Sequence, residues 1–227
     1  GSSGPEDDKI NCFFGIEYFG GVFDRELRCI EIYKAAGISY ITLMNNRHDK
    51  LFAASELTTF GRKVIEEMNL AGIVVDISHL NNNERLSVIR YSEEPVISSH
   101  RNCFAVAAAE AGLSDEVLEA LKTKGGMVML SFSHNGLFRS SYVSGSAFKK
   151  LVEHINHLHH NIGMEYIGFG TDLQAHGRYV PREMAETNTF KEIAKQLQYE
   201  DFSDHEIDRI LSGNYLKFME LEHKKAQ

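Results

Sequence analysis

The sequence predicts an α/β fold: an incomplete, TIM-barrel-like (β/α) barrel in which about six of eight parallel strands are present. Three observations lead there. Short apolar runs alternate with longer amphipathic ones along most of the 227 residues. The first run leads into "GIEYFGGVF", which does not fit the glycine fingerprint of a doubly wound, nucleotide-binding sheet. Residues able to do chemistry (Glu17, Asn45, His79, His100 and Asp172) stand at the ends of different runs, where a barrel gathers its site. The doubly wound sheet remains the competing architecture, and the pattern favours the barrel.

The runs read, in order, "INCFFGIE", "SYITLM", "GIVVDISH", "PVISSH", "GMVMLSF" and "YIGFGTD". Each is nearly continuous in β-branched, aromatic and other apolar residues, as parallel strands covered on both faces must be. The first helix candidate, "DRELRCIEIYKAAG", has apolar residues at helical spacing and ends in Gly37. "TTFGRKVIEEMNLAG" offers Thr59 as its cap and Gly72 as its stop. "NNERLSVIRYSEE" runs up to Pro95, which cannot continue a helix, and "LSDEVLEALKTKGG" opens on Ser114 and closes on a glycine pair. "SAFKKLVEHINHLHHNIG" and "SDHEIDRILSGNYLKFMELEHKKA" are the longest candidates. Segment 173–190 reads as a loop over the site. Residues 1–9 read as a disordered tail opening on a vector-derived "GSSG", residues 10–220 as one partial barrel, and residues 221–227 as a C-terminal tail.

Composition removes several classes of function. Apolar residues make up 43% and charged residues 25% of the chain, which is ordinary for a soluble globular protein. The net charge is -8 and no Lys/Arg run could track a phosphate backbone, so nucleic acid is not an expected partner. No apolar stretch approaches the ~20 residues of a membrane span. The first residues lack the basic and apolar regions of a signal peptide, and Cys12, Cys29 and Cys103 are too few and too odd in number for a disulfide framework. Together these read as a cytoplasmic protein with reduced thiols.

Histidine carries the most information. His79 and His100 each follow an apolar run, so both imidazoles are expected at one barrel mouth, where neutral rings are common zinc ligands. Glu17 ends the first run and Asp172 the last, so two carboxylates are expected to converge on the same rim and to share one divalent cation with the two imidazoles. A single histidine after a strand is more often a hydrogen-bonded structural residue. Two of them, with acids at two other strand ends, bring the ligand reading to parity. Asp76, inside a strand, reads as structural: it either caps a loop or orients a neighbouring histidine. His154, His157, His159 and His160 share one helix and read mainly as packing and surface residues, and His176 as loop.

The segments "GIE", "ISYITLMNNRHDKL", "LTTFGRKVIEEMNLAGIVVDISHL", "EPVISSHRN", "LSDEVLEALKTKGGMVMLSF", "HINHL", "IGFGTDL" and "LSGNYLKFME", in that order, resemble the membrane (renal) dipeptidase family of zinc metallopeptidases. The resemblance covers roughly residues 10–220 and implies an amidohydrolase-like barrel that hydrolyses dipeptides at zinc. It implies that Glu17 is the metal-bridging glutamate, that His79 and His100 hold one zinc, and that Asp172 lies at the metal centre and handles a proton. The family's substrate-contacting histidine falls at Asn45, its carboxylate-gripping arginine at Ala111, with Arg101 nearby, and a second acid after Asp172 at Gln174. Its His-x-Asp pair from the first strand has no counterpart before Glu17, so the first two barrel strands are expected to be absent and only one zinc site complete.

The expected function is a zinc-dependent, dipeptidase-like hydrolase of small peptide or amide bonds, in which metal-activated water attacks the carbonyl. The alternative is a non-catalytic relative serving as a binding or scaffold module. An incomplete barrel exposes two sheet edges, so a homo-oligomer or a covering partner is expected unless the tail and the long C-terminal helix cover the gap.

Overall fold

The computed structural model describes residues 11–17, 23, 26–45, 50–138, 145–173 and 180–225. The tail at 1–9, Gln174, His176 and the stretch 174–179 of the expected loop lie outside the described residues. Six parallel strands form one sheet: β1 (Phe14–Ile16), β2 (Ile38–Thr42), β5 (Val74–Asp76), β6 (Val96–Ser98), β7 (Met127–Leu130) and β8 (Ile167–Phe169). A two-stranded antiparallel hairpin, β3 (Phe52–Ala53) with β4 (Glu56–Leu57), stands apart. The strands of the main sheet lie side by side in chain order. A doubly wound sheet reverses direction at a switch point, whereas a barrel advances one strand at a time. The order therefore decides for the barrel, built here as a curled half of six strands.

Helices join the strands: α1 (Arg28–Ala35), α2 (Thr59–Ala71), α3 (Asn82–Tyr91), α4 (Phe104–Ala107), α5 (Asp115–Lys124), α6 (His134–Leu137), α7 (Ala147–Asn161), α8 (Thr189–Tyr199), α9 (Asp204–Asp208) and α10 (Asn214–Lys225). Their ends follow local chemistry. Thr58 rather than Thr59 caps α2, accepting from Gly61 N–H, because the extended backbone at 58 turns its hydroxyl back over the first turn. Gly72 and Gly125 close α2 and α5 in the left-handed region, as expected of helix-ending glycines. Asn81 and Glu84 form a capping box on α3, and Ser114 caps α5. The sequence reading missed α8 and the β3–β4 hairpin, and a five-residue π-helical turn (Arg209–Gly213) splits the last long helix into α9 and α10.

Side chains alternate between two faces of the sheet. Val75, Val96, Val128 and Leu130 point outward into the main core, against Val64, Met68, Val88, Leu121 and Leu151 of the surrounding helices. Val74, Ile97 and Met127 point inward, where Phe218 and Met219 of α10 cover them, with Phe13, Tyr40 and Tyr215 alongside. The C-terminal helix thus fills the concave face that opposing strands fill in a closed barrel. Phe14 of the edge strand β1 remains exposed.

Candidate metal centre

The strands end earlier than the sequence suggested. β5 stops at Asp76 and β6 at Ser98, so His79 and His100 lie in the turns beyond them rather than on the strands. Backbone hydrogen bonds extend the ladder to the rim: Leu43 N–H donates to Asp76 O, Ile77 N–H to Ile97 O, Arg101 N–H to Met129 O and Gly170 N–H to Leu130 O. The turns are therefore anchored where the site begins.

At that rim, Glu17, His79 and His100 each bring a ligand atom, all within 4.8 Å of one another. Glu17 Oε1 lies 2.8 Å from His79 Nε2 and 3.3 Å from His100 Nε2, and the two Nε2 atoms are 3.1 Å apart. Two nitrogens bound to one tetrahedral zinc stand about 3.3 Å apart. A slight opening of the cluster would admit the ion. Protonation favours it too. The hydrogen bond from His79 holds the Glu17 carboxyl below its ordinary value, against an opposing effect of burial. Burial holds the His100 imidazole below its ordinary value, against the field of Asp76. At neutral pH the cluster thus presents a carboxylate and a neutral His100, the forms that bind metals.

Asp172 sits outside this three-atom group. It lines a cleft of about 180 Å³ with Glu17, His100, Met129, Tyr40 and Tyr215. Its backbone is left-handed, with φ 54°, and Ser131 Oγ donates to its Oδ2 at 3.3 Å. Asn45 is exposed and turns its amide to Glu84 Oε1. His154 is fully buried, accepting from Cys103 N–H at Nδ1, and His157 pairs with Asp115 at 2.7 Å. Both belong to packing and surface, as the sequence suggested.

A second cleft, of about 460 Å³, is also lined by His100, together with Arg101, Asn102, Ala111, Ser131 and Ser133 among others. Arg101 Nη2 lies 3.2 Å from His79 Nδ1, and its Nε donates to Ser78 O. Nearby Arg85 is 1% exposed and donates to the carbonyls of Ile77, Ser78, Ala111 and Gly112, tying the His79 turn to the wall of this cleft. Burial lowers its pKa to about 10, so it keeps its charge. Sequence reasoning missed Arg85, Tyr40, Tyr215 and the serines. The one available signal was that a serine stands near each histidine, in "DISH" and "SSH".

A curled parallel sheet with three potential metal ligands gathered at its C-terminal rim has the layout of a (β/α) barrel with a candidate metal centre. An amidohydrolase from Pseudomonas aeruginosa superposes with a TM-score of 0.79 at 20% identity, over 91% of this chain and 71% of that one. A metallo peptidase from Rhodobacter sphaeroides, solved with a phosphinate mimic of the dipeptide L-Ala-D-Ala, superposes with a TM-score of 0.75 at 22% identity, over 86% and 59%. The chain belongs to the membrane dipeptidase family (peptidase family M19), whose profile matches residues 4–227. Mouse dipeptidase 3 is 30% identical over 96% of this chain and 46% of its own length, and dipeptidase verJ of Clonostachys rogersoniana is 29% identical over 81% and 48%. The chain spans about half the length of the curated relatives it matches. No helix among the described residues is long and apolar enough to cross a membrane.

Proposed function

We propose that this chain carries the metal centre of a zinc-dependent, dipeptidase-like hydrolase acting on short peptides. The convergence of Glu17, His79 and His100, three residues far apart in sequence, is the observation that carries the reading. Glu17, His79 and His100 would hold the zinc, which would supply Lewis acidity toward a carbonyl and a water. Glu17 and His100 line the smaller cleft with Asp172, whose carboxylate would take a proton from the attacking water and pass it to the leaving amine. Ser131 holds that carboxylate in position. The larger cleft would take the rest of the peptide, with the Arg101 guanidinium meeting its carboxylate beside Ala111.

The test is metal analysis of protein purified without added metal, alongside Glu17→Gln and His79→Ala, followed by assays on a panel of dipeptides. Stoichiometric zinc in the parent, lost from both variants, supports the centre; hydrolysis of any dipeptide supports the activity. One observation favours the non-catalytic alternative. Asn45, at the position of a substrate-contacting histidine in the resemblance, is engaged with Glu84. Zinc without hydrolysis would select that alternative.

A further inference from the structure

We infer that Asp76 is the positioning residue of the metal centre: through Ser78 and Ser99 it sets both histidine-bearing turns, and through Ser99 it fixes the ring proton of His100. The inference rests on the metal-centre reading and extends it to residues that do not touch the ion. Asp76 is completely buried and accepts five hydrogen bonds. Oδ1 takes Ser78 N–H at 3.0 Å, Ser78 Oγ at 2.7 Å and Ser99 N–H at 3.0 Å. Oδ2 takes Thr42 Oγ1 and Ser99 Oγ, each at 2.6 Å. Each serine immediately precedes one of the histidines. Ser78 Oγ also accepts from His100 N–H at 3.2 Å, which ties the two turns together.

The proton count follows from valence. A serine hydroxyl has one hydrogen. Ser99 gives its hydrogen to Asp76 Oδ2; the reverse arrangement would set two acceptor oxygens face to face at 2.6 Å. Ser99 Oγ therefore accepts from His100 Nδ1, 2.7 Å away, and Nδ1 is the protonated nitrogen. The lone pair of His100 is left on Nε2, the atom facing Glu17 and His79. A chain of hydrogen bonds ending on a carboxylate holds the ring in its ligating tautomer and orientation.

The test uses Ser99→Ala, which cuts the chain and leaves Asp76 and the strand intact, and Ser99→Thr, which restores a hydroxyl. In metal-free protein, 15N NMR of the His100 ring reports the tautomer without reference to any metal. We expect Nδ1–H in the parent and in Ser99→Thr, and a mixture of tautomers in Ser99→Ala. Zinc affinity, measured by chelator competition with zinc alone, is expected to fall by about 10- to 100-fold in Ser99→Ala and to recover in Ser99→Thr. Nε2–H in the parent, or a tautomer and zinc affinity unmoved in Ser99→Ala, would overturn the inference. Absence of zinc binding with the Nδ1–H signature intact and lost in Ser99→Ala would uphold the hydrogen-bond chain and fail the metal-centre reading instead.

Discussion

Glu17 and His79 are separated by 62 positions in the chain and meet at 2.8 Å, at the rim of the sheet. The carboxylate also reaches His100 at 3.3 Å, so one side chain at the end of the edge strand β1 joins both imidazoles. Replacing its charge without changing its shape isolates that role. Glu17→Gln is expected to fold normally and to bind zinc more than about 100-fold more weakly, beyond the range of an outer-shell change. Chelator competition against zinc, with circular dichroism as the folding control, measures it.

Asp172 separates from the ligands on the same geometry. It lines a cleft with Glu17 and His100 but stands outside the cluster that these two form with His79. Asp172→Asn is therefore expected to retain its zinc while the turnover rate on a dipeptide falls by about 10²- to 10⁴-fold, the usual weight of a lost proton-transfer group. Zinc content and kcat on one sample give both readings. Loss of the metal with the activity would make Asp172 a ligand instead.

Arg101 brings a cation to the lining of the larger cleft. Arg101→Gln is expected to raise KM for a dipeptide about 10-fold or more, with little effect for an analogue whose C-terminal carboxylate is amidated. Because Arg101 also contacts His79, zinc content must be checked in the same preparation. An equal effect on both substrates would remove the carboxylate assignment.

The strands and the candidate ligands beyond them were legible because they rest on local signals. Apolar runs marked the strands, and the histidines followed two of them. What was not legible depends on atoms brought together by folding. For Asp76 the sequence offered two roles, capping a loop or orienting a histidine, but not its partners: its five hydrogen bonds come from Thr42, Ser78 and Ser99 on three neighbouring segments. Tyr215 enters the cleft from α10, more than forty residues beyond Asp172, and no periodicity in that helix announces it. Of the covers the sequence allowed for the gap, a partner or the tail with the C-terminal helix, the helix is the one observed on the inner face, where Phe218 and Met219 lie with Val74, Ile97 and Met127. Nothing in the pattern of α10 says which face of the sheet it will choose.

Gly170 marks the tightest contact behind the site. A Cβ at this position would lie 1.5 Å from Ser99 O and 3.3 Å from the Cα of His100. The clash is with backbone, so it cannot be relieved by a rotamer change. Gly170→Ala is expected to destabilise the protein by about 1–3 kcal/mol or more and to weaken zinc binding by displacing the His100 turn. Denaturant unfolding and chelator competition measure the two effects. Unchanged stability would mean that the β8 turn is not fixed against Ser99.

His154 makes a prediction away from the metal. It is fully buried on α7, and burial lowers its pKa from the ordinary 6.5 to about 4. Its Nδ1 accepts from Cys103 N–H, so protonation there would also break a hydrogen bond. Between pH 6.5 and about 4 the unfolded chain binds a proton at this position that the folded protein refuses. Stability contributed by the neutral ring is therefore complete above pH 6.5 and falls as the pH is lowered through that window, by roughly 3 kcal/mol in all. His154→Gln removes the titration. In urea unfolding of metal-free protein, the parent should lose about 2 kcal/mol more than the variant between pH 7 and pH 5. Equal losses would mean that the folded protein accommodates the charged ring, and that acid lability arises elsewhere.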